Sequence, residues 1–161
     1  EDREIRKVLD VLDNAGIRYR MVSHDPVYTI EEMERLHLDA DAEIAKNLFL
    51  RDARGKRHSL LSCVAVRLWI SRRCGGNSER VPCPLPRKMA ETLSGLEKGA
   101  VTPLGILNDE ARAVEVSLTA ISPGSFIGVH PNRNTATVFL AFSDLESLIR
   151  SHGNSVSFVA I

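Results

Sequence analysis

Apolar residues in the opening segment recur with helical spacing and then alternate as they do in a strand. The first apolar positions lie three and four residues apart, which predicts an amphipathic helix; they are Ile5, Val8, Leu9 and Leu12. Gly16 follows this stripe and predicts the end of the helix. The segment IRYRMVS then alternates between apolar and polar residues, which predicts a strand.

The pattern that follows predicts a loop, a short helix and a β-hairpin. Pro26 keeps the residue before it out of the helical region, so HDPVYT is expected to be a loop. Thr29 with Glu32 three residues later forms a capping-box pattern, which predicts a helix from Ile30 toward His37. Two apolar runs, AKNLFLRD and RHSLLSCVAV, flank the turn segment ARGK, which is the pattern of strand, turn and strand.

In the second half of the chain the pattern predicts further strands and one more helix. RAVEVSL and TATVFLAF are strand patterns, and ISPGSFIGVHPNRN between them is expected to be a long loop because it is rich in Gly, Pro and Asn. Ser143 with Glu146 forms a second capping-box pattern, which opens the helix DLESLIRSHG. Gly153 predicts the end of that helix, and SVSFVAI predicts a last strand.

Strands outnumber helices in this pattern, and hairpins mix with single crossovers. The predicted fold class is therefore α+β, with a mixed, partly curled β-sheet and packed helices. Nothing marks a linker or a repeat, so residues 1–161 are expected to form a single domain. The least regular stretch, residues 63–88, combines basic residues with two adjacent glycines and three prolines. It predicts a helix fragment with irregular loop, followed by a helix over residues 86–93.

Composition narrows the classes of partner. The chain has 161 residues, with 21 Lys and Arg against 21 Asp and Glu, so no global field attracts nucleic acid or membrane. A local basic patch remains open. No apolar run approaches the roughly 20 residues that span a bilayer, and the charged start EDREIRKVLD is not the pattern of a secretion signal. The three cysteines never fall in a C-x-x-C spacing, which suits a reducing compartment, so a cytoplasmic location is expected.

Familiar catalytic motifs are missing from the sequence, but three segments carry candidate chemistry. There is no G-x-S-x-G, P-loop, Rossmann fingerprint or H-E-x-x-H, and the five histidines have no metal-ligand spacing. The first segment is KNLFL, where Lys46 and Asn47 stand directly before an apolar run. The second is GAVTP, residues 99–103, a tight loop whose backbone N–H groups can face a ligand. The third is GVHPNRNTATV, a loop that contains His130 and leads into a strand. Taken singly, each has an ordinary alternative: a surface lysine, a plain connector and an incidental histidine.

Together and in this order, these segments resemble one known family. HDPVYTIEE, KNLFLRDARGKR, GLEKGAVTPLGILND and GVHPNRNTATV are similar to the YbaK/ProX family of free-standing aminoacyl-tRNA deacylases, which is related to the editing domain of bacterial-type prolyl-tRNA synthetases. HPN-x-NTAT points more narrowly to the ProX branch (PrdX-like), which removes alanine from mischarged tRNA(Pro). The resemblance covers most of the chain except about residues 63–94, where this sequence departs from the family pattern.

The resemblance implies a site and a reaction. The reaction is hydrolysis of the ester between an amino acid and the terminal adenosine of tRNA. Lys46 would engage the terminal phosphate or the ester, and His130 would orient a water or bond the substrate. The catalytic residues implied are Lys46, Asn47 and His130, and the substrate-binding residues are Gly99, Ala100, Val101, Thr102, Pro103, Gly128, Pro131, Val27, Ile30 and Met33. In a regular strand Asn47 points away from Lys46; otherwise the strand begins irregularly there.

Partners and alternatives follow from the same resemblance. Mischarged tRNA(Pro) is the expected partner, prolyl-tRNA synthetase is an open second one, and no membrane, DNA, cofactor or metal is expected. The basic segments RDARGKR and RLWISRR are candidate phosphate contacts, with a solvated charged surface as the alternative. Two other functions stay open: a deacylase for another small aminoacyl group such as Cys or Ser, and an inactive module of the same fold that binds tRNA or a synthetase.

Overall fold

A computed structural model describes residues 2–36, 41–51, 56–63, 83–84, 100–119, 121–122 and 124–159. The described helices are α1 (Arg3–Asn14), α2 (Ile30–Arg35), α3 (Phe142–His152) and a 3₁₀ helix (Pro103–Asn108). The described strands are β1 (Tyr19–Ser23), β2 (Ala42–Ile44), β3 (Lys46–Arg51), β4 (His58–Cys63), β5 (Cys83–Pro84), β6 (Val114–Thr119), β7 (Phe126–Val129), β8 (Ala136–Ala141) and β9 (Val156–Val159).

The strands form two mixed sheets. The first sheet has the order β1-β8-β7-β2, in which β2 runs parallel to β7 and the other pairs are antiparallel. The second sheet has the order β5-β3-β4-β6-β9, in which β4, β6 and β9 run parallel to one another and β3 is antiparallel to both of its neighbours. The predicted α+β class with mixed pairing is therefore confirmed.

One apolar core joins both sheets to the two long helices. Leu12 of α1 and Leu145 of α3 are fully buried, and they share a cluster with Val116 of the second sheet and Val138 of the first. Helix α1 buries the stripe that its spacing predicted. Because burial of apolar surface is the main stabilising term in folding, this shared core holds the two sheets and the two long helices together.

Several predicted elements are confirmed in detail. The capping box that opens α2 is present: the Thr29 N–H donates to Glu32 Oε2 at 3.3 Å, and the Glu32 N–H donates to Thr29 Oγ1 at 3.1 Å. The hairpin pairs β3 with β4 in register from Lys46 opposite Cys63 to Arg51 opposite His58. Gly153 ends α3 in the left-handed conformation, at φ 103°.

The second capping box is wrong. Helix α3 begins at Phe142, one residue before Ser143, and its N-cap residue Ala141 makes no side-chain hydrogen bond. Phe142 is buried, and its N–H donates to the Ser125 carbonyl at 3.0 Å. Glu146 accepts instead from Arg150 Nε at 2.8 Å along the helix. Tertiary contacts of Phe142 therefore fix the start of this helix.

The long loop predicted for ISPGSFIGVHPNRN is also wrong in part, because it contains strand β7. Residues of β7 pair with β8, which was predicted as a strand, and with β2, which is distant in sequence and was itself not predicted. Strand β2 was missed as well. Of the irregular stretch 63–88, the structure describes Cys63 and the short strand β5, and the helix predicted over residues 86–93 lies outside the described residues.

The chain changes sheets at a single residue. Strand β2 ends at Ile44 in the first sheet, and β3 begins at Lys46 in the second. Ala45 alone connects them. Strands that pass from one sheet to another form corners between the sheets. The KNLFL segment therefore starts at a corner of the fold.

A close approach across the first sheet surrounds Gly128. A Cβ built on Gly128 would lie 2.7 Å from Ile44 Cδ1 and 2.8 Å from Phe139 Cε1. Both neighbours are cross-strand partners of Gly128, so they occupy the same face of the sheet. The glycine is required here because the side chains of β2 and β8 fill its space.

We expect Gly128→Ala to destabilise the protein by about 1–3 kcal/mol, the usual cost of overpacking a filled site. Urea unfolding of the variant and the wild type measures this difference. The matched test is Ile44→Val, which removes the Cδ1 atom that the new methyl group meets. In a double-mutant cycle, Ile44→Val should recover part of the stability that Gly128→Ala loses. Strictly additive effects of the two substitutions on the free energy of unfolding would contradict a clash between the new methyl group and Ile44 Cδ1.

Candidate active site

A cavity of about 380 Å³ lies at the corner between the two sheets. Its walls come from four places: the loop and helix after β1, the β2–β3 crossover, the end of β7, and the segment before the 3₁₀ helix. The lining residues are Val27, Tyr28, Thr29, Glu31, Met33, Ile44, Ala45, Lys46, Asn47, Val101, Gly128, Val129 and His130. This volume is within the range of small-molecule sites in proteins.

Lys46 and Asn47 both border this cavity, so the start of β3 does not separate them onto opposite faces. Both side chains are half-buried. Asn47 Nδ2 lies 3.5 Å from the Ala45 carbonyl, at the crossover between the sheets. Asn47 Oδ1 is buried and has no hydrogen-bond partner among the described residues. A buried amide oxygen without a partner is a costly feature unless a ligand supplies a donor.

His130 is held in one tautomer by the backbone. Its Nδ1 lies 2.8 Å from the Ala136 carbonyl, which only accepts, so Nδ1 carries the hydrogen. In the neutral ring Nε2 is then an acceptor. Burial lowers the pKa of His130 from its ordinary value of 6.5; the bond to Ala136 opposes this shift, and nearby His24 adds to it. The ring is therefore neutral at physiological pH.

A second histidine supports the site from behind. His24 Nδ1 lies 2.8 Å from the Asp25 carbonyl and Nε2 lies 2.9 Å from Thr137 Oγ1. Thr137 is fully buried, and its hydroxyl also lies 3.9 Å from Met33 Sδ in the cavity wall. The His24 and His130 rings are 6.0 Å apart between centroids. His24 thus connects β8 to the wall of the cavity. It was not among the predicted residues, although it opens the quoted HDPVYT motif.

The NRNT segment holds the apolar wall in place. Asn134 Nδ2 donates to the Val27 carbonyl at 3.1 Å, and the Val27 N–H donates to the Asn134 carbonyl at 3.2 Å. The His24 N–H donates to the Thr135 carbonyl at 2.9 Å. These bonds fix the loop of residues 24–29 against the strand that follows His130, so Val27 faces the cavity in a defined position.

Only part of the predicted GAVTP loop reaches the cavity. Val101 lines it, whereas Ala100, Thr102 and Pro103 are buried beside it. The Thr102 hydroxyl accepts from the Leu104 N–H at 3.3 Å and caps the 3₁₀ helix. Gly99 lies outside the described residues.

The other predicted binding residues divide in the same way. Val27, Met33 and Gly128 line the cavity, and Pro131 is buried next to His130 without lining it. Ile30 is the first residue of α2, but its side chain lies outside the described part of the chain. The structure adds lining residues that the prediction did not name: Tyr28, Thr29, Glu31, Ile44, Ala45 and Val129. Most of these lie within or directly beside the motifs already singled out, and adjacency was the one signal for them.

Metal-binding clusters and membrane-spanning helices are both absent from the described residues. Among them, no group of three or more His, Cys, Asp or Glu side chains is arranged to hold a metal ion. None of the helices in the described ranges combines the length and the apolar character needed to cross a membrane.

Comparison with known proteins gives one consistent relationship. The profile of the aminoacyl-tRNA editing domain matches residues 24–148. The prolyl-tRNA editing protein ProX of Acetoanaerobium sticklandii is 37% identical over 165 residues, covering 96% of this chain and 95% of that protein. The prolyl-tRNA synthetase associated domain-containing protein 1 of Danio rerio is 33% identical over 151 residues, covering 88% and 79%.

Solved structures agree on the fold. The crystal structure of a candidate trans-editing enzyme for prolyl tRNA synthetase superposes with a TM-score of 0.67, at 18% identity, over 100% of this chain and 99% of that one. The crystal structure of hypothetical protein APE2540 superposes with a TM-score of 0.64, at 16% identity, over 95% and 98%. At these identities the likeness concerns the fold alone. The matching profile and the extent of the sequence identity show that the chain belongs to the aminoacyl-tRNA editing domain family, a family of aminoacyl-tRNA deacylases.

Proposed function

We propose that this chain is a trans-editing enzyme that hydrolyses alanine from mischarged tRNA(Pro). The observation that carries the proposal is the meeting of Lys46, Asn47 and His130 on one small cavity with an apolar wall. The identity to a prolyl-tRNA editing protein over nearly the whole chain supports tRNA(Pro) as the substrate. Prolyl-tRNA synthetase is the proposed source of the mischarged tRNA.

The chemistry requires attack on an ester carbonyl. A water oxygen adds to the carbonyl carbon and gives up one proton, and the carbonyl oxygen becomes an oxyanion. The bond from the carbonyl carbon to the ribose oxygen then breaks, and a proton returns to that ribose oxygen. An aminoacyl ester is already reactive, so positioning and electrostatic stabilisation supply much of the acceleration. This explains how the site works without a nucleophilic serine or cysteine among the residues that line the cavity.

Each polar residue has a role in that reaction. The Lys46 ammonium is a charged donor for the developing oxyanion or for the terminal phosphate of the tRNA. Neutral His130 offers Nε2 to the attacking water or to a ribose hydroxyl, because its Nδ1 is occupied by the Ala136 carbonyl. Asn47 borders the cavity beside Lys46, and we assign its side-chain amide to the protonated amino group of the aminoacyl moiety. These three contacts bind both ends of the scissile ester.

The apolar wall sets the size of the amino acid. Val27 and Met33 are buried where they line the cavity, and half-buried Val101 completes this wall. Packed side chains can exclude a larger ring by steric clash. A preference for one methyl group over none is weaker, because it contributes only about 1–3 kcal/mol of binding free energy. We therefore propose that the wall rejects the proline ring and admits alanine.

The specificity test is deacylation of tRNA(Pro) charged with alanine, cysteine, serine or proline. The wild type should release alanine fastest and leave proline in place. Met33→Ala should raise the rate on Pro-tRNA(Pro) relative to Ala-tRNA(Pro), because it enlarges the wall that excludes the ring. Thermal unfolding controls for the cavity that this substitution creates. If the wild type releases cysteine or serine faster than alanine, that amino acid is the substrate instead of alanine. Failure to release any of the four amino acids would favour an inactive binding module.

Lys46→Ala should lower kcat for Ala-tRNA(Pro) by about 100-fold or more, the usual effect of removing an oxyanion donor. Circular dichroism should show an unchanged fold, because Lys46 is half-buried at a strand start. Lys7→Ala on α1 is the matched control, since Lys7 is exposed and does not line the cavity. An equal loss of kcat in the two variants, or no loss of kcat in Lys46→Ala, would show that Lys46 has no specific role in the reaction.

The pH dependence tests His130. A protonated ring has no acceptor at Nε2, so activity should decline as the pH falls, with a midpoint below pH 6.5, because burial lowers the pKa of His130. Rates are corrected for uncatalysed ester hydrolysis. His130→Gln should be slower and should lose this acidic decline, whereas His152→Gln on α3 should keep the wild-type profile. A decline centred above pH 6.5 in the wild type would contradict a neutral, buried His130.

A further inference from the structure

A second concave surface lies beside the active-site cavity on the first sheet. It has a volume of about 430 Å³ and is lined by Arg18, Tyr19, Arg20, Asp41, Phe126 and Phe139. We call these six residues the arginine–phenylalanine surface. None of them was singled out by sequence analysis, and none lines the active-site cavity.

The two concave regions are continuous across one row of the sheet. Arg20 pairs with Phe139, Phe139 with Gly128, and Gly128 with Ile44, so these four positions are cross-strand neighbours on one face. Gly128 and Ile44 line the active-site cavity, while Arg20 and Phe139 line the second surface. Four strands at about 4.8 Å spacing make this row roughly 14 Å long, which is about the span of two extended nucleotides.

Gly128 contributes no side chain to this row. Its neighbours Ile44 and Phe139 close over the space that a side chain would fill, so no side chain rises from the sheet at this position. Gly128 is buried and Phe139 is only 2% exposed, so Ile44 and Arg20 are the members of this row that a ligand leaving the active-site cavity would meet. Gly128 and Phe139 form the packed floor beneath them.

The chemistry of the surface fits single-stranded nucleic acid. Arg18 and Arg20 are exposed cations, and the Arg20 guanidinium carbon lies 4.7 Å from the centre of the Phe139 ring. Phe126, two residues before Gly128 on the same face, is 50% exposed. Arginines that contact phosphates, together with an exposed aromatic ring on which a base can stack, are the usual components of single-strand binding sites. Asp41 is the one carboxylate among the six residues.

We propose that the arginine–phenylalanine surface binds the unpaired nucleotides that precede the terminal adenosine of the tRNA. One base stacks on Phe126, and Arg18 and Arg20 contact the phosphates, while the aminoacylated adenosine occupies the active-site cavity. This inference rests on the proposed function, because it assigns the route by which that substrate enters. Asp41 limits the affinity, since its charge repels the phosphates.

The first experiment measures binding of uncharged tRNA to the full chain at several salt concentrations. The double variant Arg18→Gln/Arg20→Met should bind at least tenfold more weakly, with a salt slope reduced by about 1.4, since each phosphate contact on a single strand contributes about 0.7. Methionine keeps an apolar cover over Phe139, and thermal unfolding verifies the fold. Arg150→Gln on α3, whose side chain pairs with Glu146, is the matched control and should bind as the wild type does.

Two further variants separate charge from stacking. Phe126→Ala should weaken binding by about tenfold, and Phe126→Tyr should restore it, because stacking needs a ring of either kind. Asp41→Asn should tighten binding. A short single-stranded oligoribonucleotide ending in CCA should compete with tRNA, and a blunt RNA duplex should not.

Kinetics distinguish this proposal from the proposed function. The double variant should raise KM for Ala-tRNA(Pro) about tenfold with kcat within about twofold of the wild type, and it should hydrolyse alanyl-adenosine, which fills only the cavity, at the wild-type rate. Two results would overturn the proposed binding surface. One is an unchanged tRNA affinity and salt slope in the double variant, and the other is competition by the duplex equal to that by the single-stranded oligoribonucleotide. No deacylation by the wild type would overturn the proposed function, while the binding experiment would still decide on the surface.

Discussion

The close packing around Gly128 is the constraint on which the arrangement of the site depends. Without a side chain at this position, Ile44 of β2 and Phe139 of β8 approach within contact distance of its backbone. Ile44 is the residue of β2 that pairs with Gly128, and it is also the last residue before the crossover at Ala45. The crossover in turn puts Lys46 and Asn47 beside His130, which follows β7 directly. A side chain at Gly128 would have to displace the Ile44 and Phe139 side chains that pack over this position.

The site is prepared by backbone hydrogen bonds rather than by a chain of catalytic side chains. The Ala136 carbonyl fixes the tautomer of His130, and burial keeps the ring neutral by lowering its pKa. Asn134 fixes Val27 through two reciprocal bonds. Groups held in this way need no reorganisation when charge develops on a substrate, which is the main advantage of a preorganised site. The reaction of an activated ester requires little more than this.

Elements defined by local interactions could be predicted from the sequence, and those defined by distant partners could not. The Thr29–Glu32 capping box is local, and it was predicted correctly. The Ser143–Glu146 pattern is equally local, but burial of Phe142 starts the helix earlier. Strands β2 and β7 are short and pair with each other across the chain, so their own residues carry little signal.

The same distinction holds for the candidate site. Lys46, Asn47 and His130 were predicted from motifs, but the reason that two successive residues share one cavity is the change of sheet at Ala45, which no pattern in the segment indicates. Arg18 and Arg20 alternate with Tyr19 and Met21 in an ordinary strand pattern, so the sequence gives no reason to separate them from any exposed basic residues. The register of the sheet distinguishes Arg20, because Arg20 lies opposite Phe139 and Phe139 lies opposite Gly128. A chain with no net charge can therefore carry a local pair of cations such as Arg18 and Arg20, and sheet pairing places Arg20 beside an aromatic ring in the row that leads to the candidate site.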